Sequence, residues 1–337
     1  MESRKVQKTG TSTMTVSLPR DWVTSNNLRP GDTVNIETLS DGSLTIDVKV
    51  RNRRDDARSV VTVERGEPDE HVIRKLIGAY LAGFNLIEAR SRERMDLATK
   101  HAIKDFTRMV IGPEIIEETA NSVVMHDLSD PVELPQKKCI RRMHLIVESM
   151  HGDAMTAYVS GDAELARDVI DRDQDVDRLY WMAMKQFVLI QKDRSLSERI
   201  GVDVYESFSL NTVGRILERV GDHAVRISRQ AVDLADEPKT DVVLTDMREL
   251  SVRSVEVLSQ AIGAFFHHDI AAANEVIDRA HDLAREGENL VPLLLGSGGK
   301  GTMSRTAVMD SLNRTFMYSS DIAEVAVNDA MRLQGGS

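Results

Sequence analysis

The sequence is poor in the cysteines that stabilise exported proteins and in the long apolar runs that anchor proteins in membranes. Its 337 residues include one cysteine, Cys139, which excludes an internal disulfide and suits a reducing compartment. Leu290–Leu295 is among the longest apolar runs, is far shorter than the ~20 residues that span a bilayer, and is interrupted by a proline. The N-terminus, MESRKVQKTG, lacks the apolar stretch of a secretion signal. We therefore expect a cytoplasmic protein without membrane insertion.

Aromatic residues are also scarce, at 4%, whereas methionine is frequent with 15 residues, which favours helix-rich packing. The net charge of −11 is unevenly distributed. Residues 1–54 hold nine Lys and Arg against six Asp and Glu, and the remainder is acidic. A basic head on an acidic body indicates that anionic partners meet the head and cations meet the body.

Residues 1–50 show the pattern of short strands joined by tight turns. Met14, Val16 and Leu18 alternate with polar residues, and the segment 28–48 alternates in the same way around an Asp41-Gly42 turn. The run RDWVTSNN leaves room for one short helix. Because so small a unit cannot bury enough apolar surface alone, we expect it to share a core with a second chain.

The run RKVQKTGTSTMTVSLPRDWVTSNNLRPGDTVNIE resembles the AbrB/SpoVT/MazE swapped-hairpin family. The resemblance implies an intertwined β homodimer that binds DNA through basic residues on the first hairpin and near the short helix. The sequence departs from the family at Thr11, where a basic residue is common, and at Thr15, where many members have proline. A head that only dimerises is the alternative. The basic positions that match the family are Arg4, Lys5, Lys8 and Arg20.

Residues 51–58 (RNRRDDAR) form a charged connector. It is either a solvated linker or, through Arg51, Arg53 and Arg54, an extension of a phosphate-contacting surface. Residues 59–133 follow a β-α-β-α-β-β order, which predicts a small α/β segment whose second helix covers 92–110. Its histidines are isolated, and no cluster of catalytic residues stands out.

From Leu134 the sequence is helical and repeated. Asp153–Arg172 aligns with Gln260–Arg279 without gaps, and VIDR is identical in both. Apolar positions in 210–234 step by three and four residues, and 309–333 repeats those steps. The repeat predicts tandem three-helix bundles over 134–238 and 239–334. The expected fold is therefore mainly α, with a swapped-hairpin β domain and a small α/β segment before the two bundles.

Two pairs of acidic residues stand out in the first bundle. Glu218 and Asp222 lie one turn apart and face away from the apolar stripe, and Asp173 and Asp177 have the same spacing on the preceding helix. An antiparallel arrangement brings these four carboxylates to one surface, where they repel one another without a cation. An all-oxygen group suits Mg²⁺, Mn²⁺ or iron. Taken alone, the spacing favours an ordinary solvated face.

The segments DVIDRDQDVDRLYW and NTVGRILERVGDHAVRIS resemble the PhoU family of phosphate-uptake regulators, and the likeness extends over 134–333. The resemblance implies a partner in the phosphate transporter or its signalling machinery. It also implies a site for iron, zinc, manganese or magnesium on D/E-x-x-x-D motifs, which here match Asp173, Asp177, Glu218 and Asp222.

The second repeat keeps few of these acids. Ala280, Ala284 and Met317 replace three of them, and only Asp321 remains, in place of Asp222. We therefore expect one metal site, in the first repeat, and a structural role for the second. His223 follows Asp222 and could supply a nitrogen ligand, but its position about 100° further round the helix favours capping or packing.

Together, the two resemblances imply a phosphate-responsive transcriptional regulator of phosphate uptake, in which the head binds DNA and the bundles bind metal and a partner protein. The alternative is an adaptor that does not bind DNA and modulates a phosphate transporter or its signalling partner. We expect no enzymatic activity. A di-iron oxidase needs Glu-x-x-His motifs that face a bundle core, and Gly296–Thr302 has the wrong spacing for a phosphate loop.

Overall fold

The computed structural model describes residues 2–38, 42–48, 58–233, 242–296 and 301–335. It divides into two compact units, Met1–Asp56 and Ala57–Ser337. Asp41 of the expected turn lies outside the described residues, and so does the connector expected at 51–58, except for Arg58. Within the described ranges, no helix is long and apolar enough to cross a membrane.

The described part of the N-terminal unit consists of hairpins and a short helix. Its elements are β1 (Gln7–Thr9), β2 (Thr13–Thr15), α1 (Arg20–Ser25), β3 (Asn35–Thr38) and β4 (Leu44–Asp47). Strand β1 pairs antiparallel with β2, and β3 with β4. No described residue of this unit is buried. Met14 and Ile36, for example, are 65% and 62% exposed, so the described part of the unit has strands but no core of its own.

The second unit begins with a sheet and two helices, as the sequence predicts. The elements are β5 (Arg58–Thr62), α2 (Asp69–Leu81), β6 (Leu86–Arg90), α3 (Leu97–Met109), β7 (Pro113–Glu118) and β8 (Ser122–Asp127). The strand order is β5-β6-β8-β7. Strands β5 and β6 are parallel, whereas β8 is antiparallel to both of its neighbours.

One face of this sheet packs on α2 and α3. Alternate residues such as Val61, Ile87 and Met125 form a core with Leu76 and Phe106 of the helices. Helix α3 begins at Leu97, later than the predicted residue 92. The reason is local, because the Asp96 side chain accepts a hydrogen bond from the Thr99 amide at 2.8 Å and caps the helix.

The remaining elements are helical, which confirms the mainly α fold. They are α4 (Gln136–Ser160), α5 (Ala163–Lys192), α6 (Arg194–Ile200), α7 (Val204–Asp233), α8 (Val242–His267), α9 (Ile270–Gly296) and α10 (Gly301–Gly335). Helices α4, α5 and α7 pack together, as do α8, α9 and α10, and α7 also packs on α10. The short helix α6 was not predicted. One apolar core runs through both repeats.

The arginines of the repeated VIDR segment each form an ion pair with the first helix of their own repeat, although the two acids do not occupy aligned positions. Arg172 Nη2 lies 2.7 Å from Asp153 Oδ2, and Arg279 Nη2 lies 2.9 Å from Glu256 Oε2. Each arginine therefore ties the second helix of its repeat to the first. This common role gives a structural reason for the identical arginine of VIDR.

Candidate metal site

The four predicted ligands lie on two neighbouring helices. Asp173 and Asp177 are on α5, and Glu218 and Asp222 are on α7, which packs closely on α5. Gly221 lies at this contact, where a Cβ atom would be 3.3 Å from Asp173 Oδ1. The small residue thus permits the close approach that brings the two acidic pairs to one surface.

Burial and mutual repulsion change the acidity of this group. Burial raises the pKa of Asp173 to about 6, and the Asp222 and Glu218 charges add to the shift. Burial raises the pKa of Asp177 to about 7, helped by the charges of the other three acids. The pKa of Glu218 is also raised, first by burial and then by Asp222, although Arg215 and Arg219 oppose the change. When all of its acids are ionised, the group would therefore carry more negative charge than its surroundings neutralise.

The Oε2 atom of Glu218 is buried and has no hydrogen-bond partner. A buried carboxylate oxygen without a donor is costly, and a cation would satisfy it. All four side chains offer oxygen, which hard cations prefer. In burial, charge and donor chemistry, the group fits a bound metal ion.

The side-chain positions are not those of a coordinated ion. In the described part of the chain, no three His, Cys, Asp or Glu side chains are placed so that they could hold a metal together. The two helices bring the carboxylates near one another, and the side chains would have to turn to reach a common point. The assignment of these four residues as ligands stays a prediction.

His223 follows Asp222 in sequence but faces another helix. Its ring packs on Tyr318 of α10 with 5.7 Å between ring centroids, and the residue is buried. Burial lowers the pKa of His223 to about 4, with a further contribution from the Arg226 charge. The expectation that His223 packs agrees with this geometry.

The second repeat has no equivalent acidic group among its described residues. Ala280 is buried in the core, and Met317 is partly exposed at the position that corresponds to Glu218. Burial and Glu324 raise the pKa of Asp321, the acid that corresponds to Asp222. The same helix packing therefore exists with one acid in place of four.

A cavity of about 440 Å³ lies between α8 and α9, and its presence was not predicted from the sequence. Gly263 and Ala272 line it, whereas the first repeat has Thr156 and Leu165 at the aligned positions. The smaller side chains of Gly263 and Ala272 are the sequence feature from which the cavity could have been predicted. The polar lining of the cavity includes both acidic and basic residues, among them Arg279, which is already paired with Glu256.

The predicted DNA-contacting residues are all exposed. Lys8 lies on β1, Arg20 begins α1, and Arg4 forms an ion pair with Glu2. Arg4 and Lys5 precede β1. The structure thus places these residues on the first hairpin, next to it, and on the short helix. Their contact with DNA stays a prediction.

Two parts of the chain match known domain families. Residues 140–231 match the PhoU domain, and residues 7–55 match the family described as antidote-toxin recognition MazE, bacterial antitoxin. Both resemblances stated from the sequence are thereby confirmed.

Two curated relatives are phosphate-specific transport system accessory protein PhoU homologs. The one from Pseudomonas putida is 26% identical over 154 residues, and the one from Pseudomonas aeruginosa is 24% identical over 154 residues. Each alignment covers 42% of this chain, and it spans 59% and 62% of the respective relatives.

The crystal structure of PhoU from Pseudomonas aeruginosa is similar with a TM-score of 0.54 at 20% identity. The similarity covers 60% of this chain and 97% of the PhoU chain. It supports the fold of the helical repeats.

Proposed function

We propose that this chain, which carries a PhoU domain and a MazE-like N-terminal domain, is a cytoplasmic, phosphate-responsive transcriptional regulator of phosphate uptake. One observation carries the proposal. A basic hairpin unit whose described residues form no core of their own stands in the same chain as a helical repeat with a partly buried group of four carboxylates. The first part suits a dimeric DNA-binding head, and the second suits a sensor.

Dimerisation of the head follows from its exposed apolar strands. Each of the side chains Val6, Met14, Val16, Ile36 and Leu44 is half or more exposed in the single chain. A second chain would cover them and form the missing core. The basic residues Arg4, Lys5, Lys8 and Arg20 would then contact DNA phosphates from both chains.

A metal ion at the acidic group would be held by Asp173 and Asp177 of α5 and by Glu218 and Asp222 of α7. When bound, it supplies positive charge that offsets the repulsion among these carboxylates. Because burial and the neighbouring charges raise the pKa of Asp177 to about 7, this carboxyl is partly protonated at neutral pH, and metal binding would release its proton. Iron, zinc, manganese and magnesium are the candidates, and the relevant contacts are all to oxygen.

Regulation would operate by linkage between the bundles and the head. If metal, phosphate or a partner protein binds one arrangement of the bundles more tightly, it shifts the chain between states that do and do not bind DNA. The names of the relatives indicate the phosphate transport system as the source of the partner. The partner would be a component of the phosphate transporter or of its signalling machinery.

A reporter of phosphate-dependent repression tests this proposal. The double variant Glu218→Ala and Asp222→Ala removes half of the acidic group. The matched control is Asp171→Ala and Asp175→Ala, which removes the same charge from exposed positions on α5. We expect the first variant to lose phosphate dependence and the control to keep it. Unchanged phosphate-dependent repression in the first variant would contradict the proposal.

The second candidate is an adaptor that does not bind DNA and modulates a phosphate transporter or its signalling partner. The relatives favour it, because both are described as accessory proteins of transport rather than as DNA-binding proteins. It predicts no DNA binding at low salt, or binding unaffected when Arg4, Lys5, Lys8 and Arg20 are changed to alanine.

A further inference from the structure

The two edges of the β5-β6-β8-β7 sheet differ in their protection. The β7 edge contains Pro113, a bulge between Ile115 and Glu117, and three glutamates in a six-residue strand. Proline, bulges and charges are devices that prevent an edge strand from pairing with another chain. Strand β5, on the opposite edge, has no proline and keeps a regular register with β6 from Arg58 to Thr62. The β5 edge is therefore the one suited to accept a further strand.

The hydrogen-bond pattern identifies the backbone groups at that edge. The Val63 amide donates to the Arg90 carbonyl at 2.8 Å, so Val63 is directed towards β6. Because successive residues of a strand alternate in direction, Val61 and Ser59 also face β6, whereas Arg58, Val60 and Thr62 face outwards. The Lys75 side chain donates to the Thr62 carbonyl at 3.0 Å, which agrees with this assignment.

Val60 lies at the centre of the open edge. Its side chain is 47% exposed, and its backbone amide and carbonyl point away from β6. In the described residues, β5 is the terminal strand of the sheet. An exposed valine with outward backbone groups is what a partner strand needs for both hydrogen bonds and apolar contact.

The sequence of β5, RSVVT, suits antiparallel pairing with itself. If Val60 lies opposite Val60 of another copy, Arg58 lies opposite Thr62, and Ser59 lies opposite Val61. Among the strand residues themselves no like charges face each other, and the outward groups of Arg58, Val60 and Thr62 offer about six hydrogen bonds. Two of these would use the Thr62 carbonyls, which also accept from Lys75. The same arrangement at β7 would oppose glutamates.

A second copy of this chain is the occupant that the chain connectivity favours. Ten residues, 48–57, separate the end of β4 from the start of β5. Each of these connections can span at most about 35 Å. If two heads form a dimer, the distance between the two β5 strands is therefore limited by these two connections. Tethering raises the effective concentration of the second strand to about the millimolar range.

We propose that two copies of this chain pair antiparallel through the outer edge of β5, with Val60 on the two-fold axis. The pairing joins the two sheets into one that continues through both copies. This second interface is distinct from the dimer proposed for the head. It would couple the α/β segments of the two chains directly.

The test is cysteine crosslinking of the full chain. Val60→Cys places a thiol on the proposed axis, and Ile116→Cys is the matched control, because Ile116 is 56% exposed on the opposite edge. The native Cys139 does not compete, since it is buried and burial raises its pKa to about 12. We expect a short bismaleimide to crosslink Val60→Cys into dimers with a yield that does not fall on tenfold dilution. Ile116→Cys should give only the wild-type background.

Equal crosslinking of both variants, no crosslinking above background, or crosslinking of Val60→Cys to another protein would overturn the proposal. Amide hydrogen exchange of the unmodified chain provides a second readout. The proposal predicts that the Val60 amide is as protected as the Val61 amide, which bonds to β6. Rapid exchange at Val60 beside a protected Val61 would show an open edge. Neither readout depends on DNA binding by the head.

Discussion

Gly221 and Asp173 face each other across the contact between α5 and α7, so closely that a methyl group on Gly221 would lie 3.3 Å from Asp173 Oδ1. A glycine within a helix costs about 1 kcal/mol relative to alanine, and here the absent side chain leaves space for a carboxylate. Val147 and Val176 would lie at 3.7 Å, which is ordinary packing. The tight contact is therefore with the acidic group rather than with the core.

Gly221→Ala should separate stability from ligand binding. Because only Asp173 must move, we expect the free energy of unfolding to stay within about 1 kcal/mol of the wild type. Metal affinity should fall, because Asp173 is displaced from its neighbours. Urea unfolding and calorimetric metal titration measure the two effects.

The matched control is Gly214→Ala on the same helix. A Cβ atom there would lie 2.8 Å from Ile140 Cδ1 in the core. Overpacking of this kind costs about 1–3 kcal/mol, so this variant should be destabilised by packing alone. If Gly221→Ala lowered stability as much as Gly214→Ala without affecting metal binding, Gly221 would have only a packing role.

Asp173→Asn with Asp177→Asn should stabilise the metal-free protein at neutral pH. Both acids have pKa values in the folded protein above the ordinary 3.8, so the folded state binds more protons between about pH 4 and 7. Their contribution to stability therefore falls as pH rises through that range. We expect the stability difference between variant and wild type, measured by urea unfolding with a chelator, to be large at pH 8 and to diminish towards pH 4. A difference that is independent of pH would contradict the raised pKa values.

His151 should make the stability of the folded protein depend on pH in the opposite direction. Burial lowers its pKa to about 4 from the ordinary 6.5, and the nearby His223 adds to the shift. The unfolded chain thus takes up the proton first, and stability is lost as pH falls from 6.5 towards 4. His151→Gln should flatten this part of the stability profile. If NMR shows that the His151 ring of the folded protein titrates near pH 6.5, this prediction is wrong.

Removal of one partner from the buried pair of Lys185 and Asp127 should loosen the packing between the sheet and α5. The two side chains form an ion pair, and Lys185 lies 4.4 Å from the centre of the Tyr80 ring. Lys185→Met should cost about 3–5 kcal/mol because it leaves the Asp127 charge buried. Adding Asp127→Asn should recover part of that stability in a double-mutant cycle by urea unfolding. Equal stability of the single and double variants would exclude a strong coupling.

Lys5→Ala with Lys8→Ala should weaken DNA binding by the head and reduce its salt dependence. Removing one lysine–phosphate interaction lowers the slope of log affinity against log salt by about one. Arg199→Ala, at an exposed position on α6, removes a charge outside the head and is the control. Binding titrations at several salt concentrations give both quantities. If the two substitutions leave the slope unchanged, Lys5 and Lys8 do not contact DNA.

Periodicity predicted most of the elements, because it reports which face of each helix or strand is buried. The alternation in 59–64 appears as β5, and the seam that contains Leu217 and Val220 forms the core of the bundles. The strand order and the pairing of Lys185 with Asp127 were not predictable. They depend on residues that meet only after distant segments have packed.

The arrangement of the acidic group, too, was only partly predictable from the sequence. Helical spacing and the resemblance to PhoU predicted that Asp173 and Glu218 share one surface, and the packing of α5 on α7 accounts for their proximity. Side-chain rotamers cannot be deduced from spacing. In the described residues the carboxylates do not converge on one point, so their use as ligands depends on rotation of the side chains.

Elemental analysis of protein purified without chelators or added metal tests the central claim most directly. We predict that the wild type and the Asp171→Ala, Asp175→Ala control retain bound metal, whereas the Glu218→Ala, Asp222→Ala variant loses most of it. A wild type without metal, or a Glu218→Ala, Asp222→Ala variant with the same metal content as the wild type, would contradict the assignment of this carboxylate group as a metal site.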